Sequence, residues 1–261
     1  MAEKIDGIKP RPTLVLKSRA YTGILYTEGN LAVVHGKKIP LKPNMAISPG
    51  DTILLENNIY VVLEPNPVFF KDFADRGAQI IQPWDAAALI AYTNIHPGMN
   101  VLESGAGSGA LSFSILSSLG GSGMLVTVER DERYVTMARN NVEAYGEFKN
   151  WRLLKGDVSN IKLDILFDAA VLDIPEPWNV LHNVSSYLKP GSMLSCYLPT
   201  YNQVERTVMS FESSGFYHLE TFELMKRDLL VRESAVRPDN NIIGHTAFLV
   251  FGIRTSGMTF K

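Results

Sequence analysis

Residues 101–109, Val-Leu-Glu-Ser-Gly-Ala-Gly-Ser-Gly, constrain the fold more than any other stretch of the chain. A short apolar run stops at an acid and opens into three alternating glycines, which suits a buried parallel strand turning sharply into a helix. Every residue in the turn is small, so the backbone can approach a ligand closely at the N-terminus of the helix expected over 110–119. There, free N–H groups and the helix dipole favour polar or anionic groups. A sheet built on such a strand binds its ligand beyond the carboxyl ends of the strands.

The pattern around this stretch is regular. Strands are expected at 99–104, 124–129, 151–155, 167–173 and 193–198, alternating with helices at 110–119, 132–145, 178–188 and 202–213. That alternation implies an α/β unit with a parallel, Rossmann-like sheet covered on both faces. Two β-like runs, 217–225 and 245–254, follow with no helical crossover between them, so a closing pair with one antiparallel strand is expected. A helix over 85–94, ended by His96-Pro97-Gly98, precedes the glycine strand, and this counts against the simplest dinucleotide-binding layout. Residues 12–67 read differently: short runs at 13–16, 20–25, 31–34, 52–55 and 59–63 are separated by Asn-, Gly- and Pro-containing turns, as in a small β-barrel or β-sandwich. The expected division is therefore a β-rich unit over 1–66 and an α/β unit over 67–261, joined through Pro65-Asn66-Pro67.

Composition narrows the class of protein. The net charge of −2 over 261 residues gives no global attraction for polyanions, and basic residues such as Lys9, Arg11, Arg19, Lys37, Lys38, Arg232 and Arg237 form no dense stripe. One cysteine, Cys196, excludes an internal disulfide and a multi-cysteine zinc site, and no metal is expected. No uninterrupted apolar run approaches the roughly 20 residues of a membrane span, and no signal-peptide pattern opens the chain, so a cytoplasmic protein is expected.

The glycine spacing is compatible with two cofactors. Gly105, Gly107 and Ala110 fit G-x-G-x-x-A, the dinucleotide fingerprint, and an NAD-dependent dehydrogenase follows from that reading. The same letters hold G-x-G-x-G after an acid, as in S-adenosyl-L-methionine sites. Glu129, 20 residues after Gly109, ends the next strand, where a carboxylate can accept both ribose hydroxyls of either cofactor. Asp157, after Gly156, ends the third strand and can accept from an exocyclic adenine amine while Val158 packs on the ring; an Asp at that place also caps a turn near Ser159. The run Leu172-Asp173-Ile174-Pro175-Glu176-Pro177-Trp178 is more distinctive. An acid at a strand end, two prolines and an aromatic make a stiff rim that holds Asp173 and lets Trp178 wall a pocket, or a proline-rich turn that ends the strand and caps the helix at Trp178. The corresponding segment of amino-methyltransferases holds the target nitrogen beside the methyl donor, and a dehydrogenase has no obvious use for it.

On these blocks the chain resembles the tRNA (adenine-N1)-methyltransferase family, in its homotetrameric prokaryotic and archaeal branch. The resemblance also takes in residues 76–81, Tyr197-Leu198-Pro199-Thr200 with Gln203-Val204, Arg237-Pro238, and Gly244-His245-Thr246, in family order through most of residues 76–254. It implies a class I methyltransferase fold with a small N-terminal β-barrel-like domain. The implied reaction is methylation of N1 of a T-loop adenine in tRNA, at position 58 with 57 as a further candidate. Carried over residue by residue, Gln79, Glu103, Ser104, Gly105, Ala106, Gly107, Ser108, Gly109, Glu129, Arg130, Asp157, Val158 and Asp173 hold S-adenosyl-L-methionine. Asp173 is the acid-base residue, and Trp178, Tyr197 and His245 border the adenine. The chain departs from the family where Ile-Ile-Tyr-Pro-Lys-Asp is usual: it has Gln82 in place of the aromatic, leaving either Trp84 or Trp178 to supply a stacking face or other contacts to capture the base.

Overall fold

The computed structural model describes residues 14–18, 21–26, 30–42, 45–75, 77 and 79–257. Expectations resting on Lys9, Arg11, Arg19, Arg76 and Ala78 lie outside them. Six strands, β1 (Leu14–Lys17), β2 (Thr22–Tyr26), β3 (Leu31–Val34), β4 (Lys37–Pro40), β5 (Thr52–Leu55) and β6 (Asn58–Leu63), form one curled antiparallel sheet in the order β4-β3-β2-β1-β6-β5. Its buried face gathers Leu16, Leu25, Ala32, Ile53, Tyr60 and Val62. Strand β4 was not expected, because Lys-Lys-Ile-Pro carries no apolar alternation. It forms because His35 and Gly36 both take positive φ, 54° and 73°, and this two-residue turn folds the chain back along β3.

The segment expected as a linker is the start of a helix. Pro67 opens α1 (Pro67–Phe73), where its missing N–H costs nothing, and the Asn66 side chain caps the helix by accepting from the Val68 N–H at 3.1 Å. Helix α2 (Pro83–Tyr92) follows. Both pack on α3 (Ala110–Leu119), with Phe70 stacked on Phe113 at 5.2 Å between ring centres. Almost every residue of α3 is buried, so its apolar character runs all round rather than along one stripe.

The second sheet contains β7 (Asn100–Ser104), β8 (Met124–Glu129), β9 (Trp151–Lys155), β10 (Phe167–Leu172), β11 (Leu188–Leu198), β12 (Phe216–Glu223) and β15 (Phe248–Arg254), in the order β12-β15-β11-β10-β7-β8-β9. Helices α4 (Glu132–Glu143), α5 (Leu181–Tyr187) and α6 (Tyr201–Met209) link its strands. The pairs β7–β8, β8–β9, β7–β10 and β10–β11 are parallel, and β15 runs antiparallel to β11 and β12, giving the closing pair read from the sequence. Between β12 and β15 stands a hairpin that the sequence reading missed, β13 (Leu229–Arg232) with β14 (Ala235–Pro238). Its residues are mostly exposed, so burial leaves no alternating pattern to read. Position 178 also differs from expectation: Pro177–Asn179 forms a single 3₁₀ turn, and α5 begins only at Leu181.

Candidate active site

Register places the site. Ser104 pairs with Val128 of β8 on one side and Leu172 of β10 on the other, so three parallel strands end level with one another. After β9 the chain crosses back to lay β10 beside β7, and this reversal opens a crevice at the carboxyl ends. A cleft of about 740 Å³ occupies it, within the range of small-molecule sites.

The glycine loop forms one wall. Gly105 lies against the neighbouring strand end: a Cβ there would stand 2.0 Å from the Asp173 carbonyl oxygen, and its φ is +93°. The Asp173 N–H donates to the Ser104 carbonyl at 2.8 Å, so loop and rim are joined backbone to backbone. Gly107, also at positive φ (+51°), has nothing within 4 Å of a would-be Cβ, and its open side faces the cleft. Gly109 packs beneath Ala138 and Val142 of α4 instead.

Glu129 reaches under this loop. One carboxylate oxygen accepts from the Ala106 N–H at 2.9 Å and the other from the Asp131 N–H at 2.8 Å, which fixes the carboxylate while leaving lone pairs toward the cleft. Asp157 accepts from the Ser159 N–H at 2.9 Å; the Ser159 side chain first, and this backbone bond second, hold its carboxyl below the usual range, with Arg130 nearby adding to the effect. The helix-cap reading of Asp157 and its place on the cleft wall are thus both present. Gln79, Arg130, Val158 and Tyr134 complete this half.

Asp173, with Ile174, Pro175 and Glu176, forms the wall adjoining the loop. Its carboxylate accepts no hydrogen bond among the described residues. Burial raises its pKa from the ordinary 3.8 to about 7, with the Glu129 charge as a second cause. Gln203 steadies the rim by donating to the Pro175 carbonyl at 2.9 Å. The Tyr197 hydroxyl donates to buried Asp85 at 3.2 Å, so the Tyr197 ring is held as a fixed face of the cleft.

Several expected site residues lie elsewhere. Glu103 is wholly buried behind the loop, accepting from Ser112 and Thr127 hydroxyls at 2.6 Å each; burial lifts its pKa to about 7, and it ties α3 to β8 without bordering the cleft. Ala106, Ser108 and Gly109 shape the loop without lining the cleft. Trp178 turns away to stack under Arg206, at 5.4 Å. The Trp84 ring has the Lys71 and Lys226 ammonium groups over it, at 5.9 and 5.2 Å, and neither tryptophan lines the cleft. His245 donates from Nε2 to the Pro199 carbonyl and meets Glu223 through Nδ1, each at 2.9 Å; these two contacts raise its pKa. Its neighbours Thr246 and Pro199 border the cleft instead. Sequence reasoning missed Tyr134, Asn179, Gln203 and Thr246 as lining residues. Gln203 and Thr246 did lie in the blocks that carried the family resemblance.

Among the described residues no group of three or more His, Cys, Asp or Glu side chains could hold a metal ion, and no helix is long and apolar enough to cross a membrane. The cleft suits S-adenosyl-L-methionine. The open front of Gly107 admits an extended ligand, and carboxylates at two successive strand ends match ribose hydroxyls and an adenine amine.

Fold and cleft together define a class I S-adenosyl-L-methionine-dependent methyltransferase, a parallel sheet closed by an antiparallel strand. Within that class, residues 58–241 match the family described as tRNA methyltransferase complex GCD14 subunit, and the chain belongs to that family. It is 31% identical over 245 residues to the tRNA (adenine(58)-N(1))-methyltransferase TrmI of Thermus thermophilus, covering 92% of this chain and 96% of the relative. Over 220 residues it is 29% identical to the tRNA (adenine(57)-N(1)/adenine(58)-N(1))-methyltransferase TrmI of Methanocaldococcus jannaschii, covering 74% and 78%. The crystal structure of tRNA (m1A58) methyltransferase TrmI from Aquifex aeolicus superposes with a TM-score of 0.80 at 26% identity, covering 96% of this chain and 99% of that one.

Proposed function

We propose that this chain methylates N1 of adenine 58 in the T-loop of tRNA, forming 1-methyladenosine. The observation that carries the reading is Asp173, a carboxyl without a hydrogen-bond partner among the described residues. It stands on the cleft wall at the end of β10, directly across a backbone contact from the glycine loop. S-adenosyl-L-methionine supplies an electrophilic methyl group when bound. On the protein side, Gln79, Gly105, Gly107, Glu129 and Asp157 hold and orient that donor, and Tyr197 offers the adenine a flat face. The target base has to leave its stack to bring its pairing edge into the cleft.

Methylation of neutral adenine at N1 leaves a cation. The Asp173 carboxylate accepts a hydrogen bond from the adenine N6 amine, stabilises the positive charge as it grows, and takes an N6 proton afterwards. A pKa near 7 suits both roles: partial burial strengthens the charge interaction, and the developing cation itself favours the ionised carboxylate. Alignment of N1 with the methyl group, set by the two cleft walls, supplies further acceleration.

A small β-rich unit over 1–66 and a catalytic unit over 67–261 remain our division of the chain, and we assign it a homotetramer in the cytoplasm. Exposed apolar side chains on the β13–β14 hairpin, Leu229, Val231 and Val236, support assembly through that arm. Nucleoside mass spectrometry of an unmodified tRNA transcript after incubation with the protein and S-adenosyl-L-methionine tests the activity, and mapping of RNA fragments separates position 58 from 57. Cofactor binding without 1-methyladenosine would defeat the proposal.

A further inference from the structure

Asn141, on α4, is buried and touches neither the cleft nor Asp173. Its amide nevertheless joins three segments. Its Oδ1 accepts from the Asp75 N–H at 2.9 Å, and its Nδ2 donates to the Asp75 carbonyl at 3.1 Å and to the Ser108 carbonyl at 2.9 Å. The orientation follows from the partners alone: a backbone N–H only donates and a carbonyl only accepts, so one face of the amide must be oxygen and the other nitrogen. Both amide hydrogens are used, and no other side chain of similar size can satisfy all three partners.

The joined segments both carry residues that line the cofactor cleft. Asp75 opens the stretch that leads to Gln79, and Ser108 belongs to the glycine loop beside Gly107. Helix α4 reinforces the clasp two turns earlier, where the Tyr134 hydroxyl donates to the Gly77 carbonyl at 3.2 Å. A Cβ on Gly77 would meet Met137 Cε at 2.6 Å, so Gly77 lies directly against the helix.

We infer that Asn141 is a positioning residue for the cofactor: it fixes the spacing between the Gln79 segment and the glycine loop. This rests on the methyltransferase reading above. Asn141→Asp keeps the Asp75 N–H acceptor but turns an oxygen toward two carbonyls, and Asn141→Leu removes all three bonds. Both variants should bind S-adenosylhomocysteine about 10- to 100-fold more weakly by calorimetry, the scale of leaving buried polar groups unpaired. The KM for S-adenosyl-L-methionine should rise in parallel, with kcat at saturating cofactor within about twofold of wild type. Loss of fold alone would lower the active fraction and leave KM unchanged.

A double-mutant cycle with Gln79→Ala should be non-additive, because Asn141 acts through the segment that carries Gln79. In the unmutated protein, the Asp75 amide should exchange with solvent more slowly once S-adenosylhomocysteine is added, a readout that stands even where a variant fails to fold. Unchanged affinity in folded variants, additive effects in the cycle, or an Asp75 amide indifferent to ligand would each overturn the inference. Failure of the wild-type protein to bind S-adenosylhomocysteine would instead overturn the methyltransferase reading itself.

Discussion

Replacing Asp173 by Asn should make the protein more stable and nearly inactive, with both effects arising from the same desolvated carboxyl. In the folded state the group sits at about 7 against an ordinary 3.8, raised first by burial and then by Glu129. About three pKa units correspond to about 4 kcal/mol held against the ionised form. Water in the cleft screens part of this, leaving on the order of 2 kcal/mol for a stability measurement. The folded pKa lies above the unfolded one, so the folded protein holds the extra proton between roughly pH 4 and pH 7. The contribution to stability is complete below that window and is lost as pH rises through about 7. Asparagine does not ionise. At about pH 8, Asp173→Asn should therefore melt about 4–8 °C higher than wild type, and the gap should close near pH 4. Methyl transfer from radiolabelled cofactor to a tRNA transcript should fall roughly 10²–10³-fold, about 2.7–4 kcal/mol, the scale of losing one electrostatic stabiliser of a developing charge. The acid limb of the wild-type kcat/KM profile near pH 7 should be absent in the variant. A variant within tenfold of wild-type activity, or one that melts lower at pH 8, would refute the reasoning.

Gly105→Ala places a Cβ 2.0 Å from the Asp173 carbonyl at a φ of +93°, so it should cost more than about 2 kcal/mol in urea unfolding and force the β7 and β10 ends apart. Gly107→Ala meets open space, so its stability loss should be only about 1–2 kcal/mol, while calorimetry should show the larger loss of S-adenosylhomocysteine binding. The Pro199 carbonyl and Glu223 raise the pKa of His245; its contribution to stability is full below the ordinary 6.5 and lost as pH rises through the raised folded value. Unfolding of His245→Gln across that window should lack this slope, and an unchanged slope would remove His245 as its source. Val231→Lys on the exposed hairpin should lower the mass measured by light scattering, and an unaltered mass would exclude that arm from assembly.

Local sequence determined the chain of elements around the cleft. Residues 110–119 and 124–129 fold within the bounds read from apolar runs and glycine punctuation, because a buried parallel strand and a wholly buried helix leave strong, uninterrupted apolar signals. Blocks in family order also pointed to the methyltransferase class, which the family match bears out. Aim of side chains was another matter. Glu103 sits one residue before the cleft wall, yet strand alternation turns it into the core, where Ser112 and Thr127 hold it. Trp178 and His245 lie in the right blocks but answer to Arg206, Glu223 and the Pro199 carbonyl, partners far away in sequence. The β13–β14 arm buries too little to write a period into its residues. The sequence alone determined which strand ends carry an acid and where the backbone must be glycine, since both are local requirements of charge and φ. Only tertiary structure decided which of those acids reaches the cleft, and that Asn141 joins the Asp75 backbone to the glycine loop, because both depend on groups brought together from distant parts of the chain.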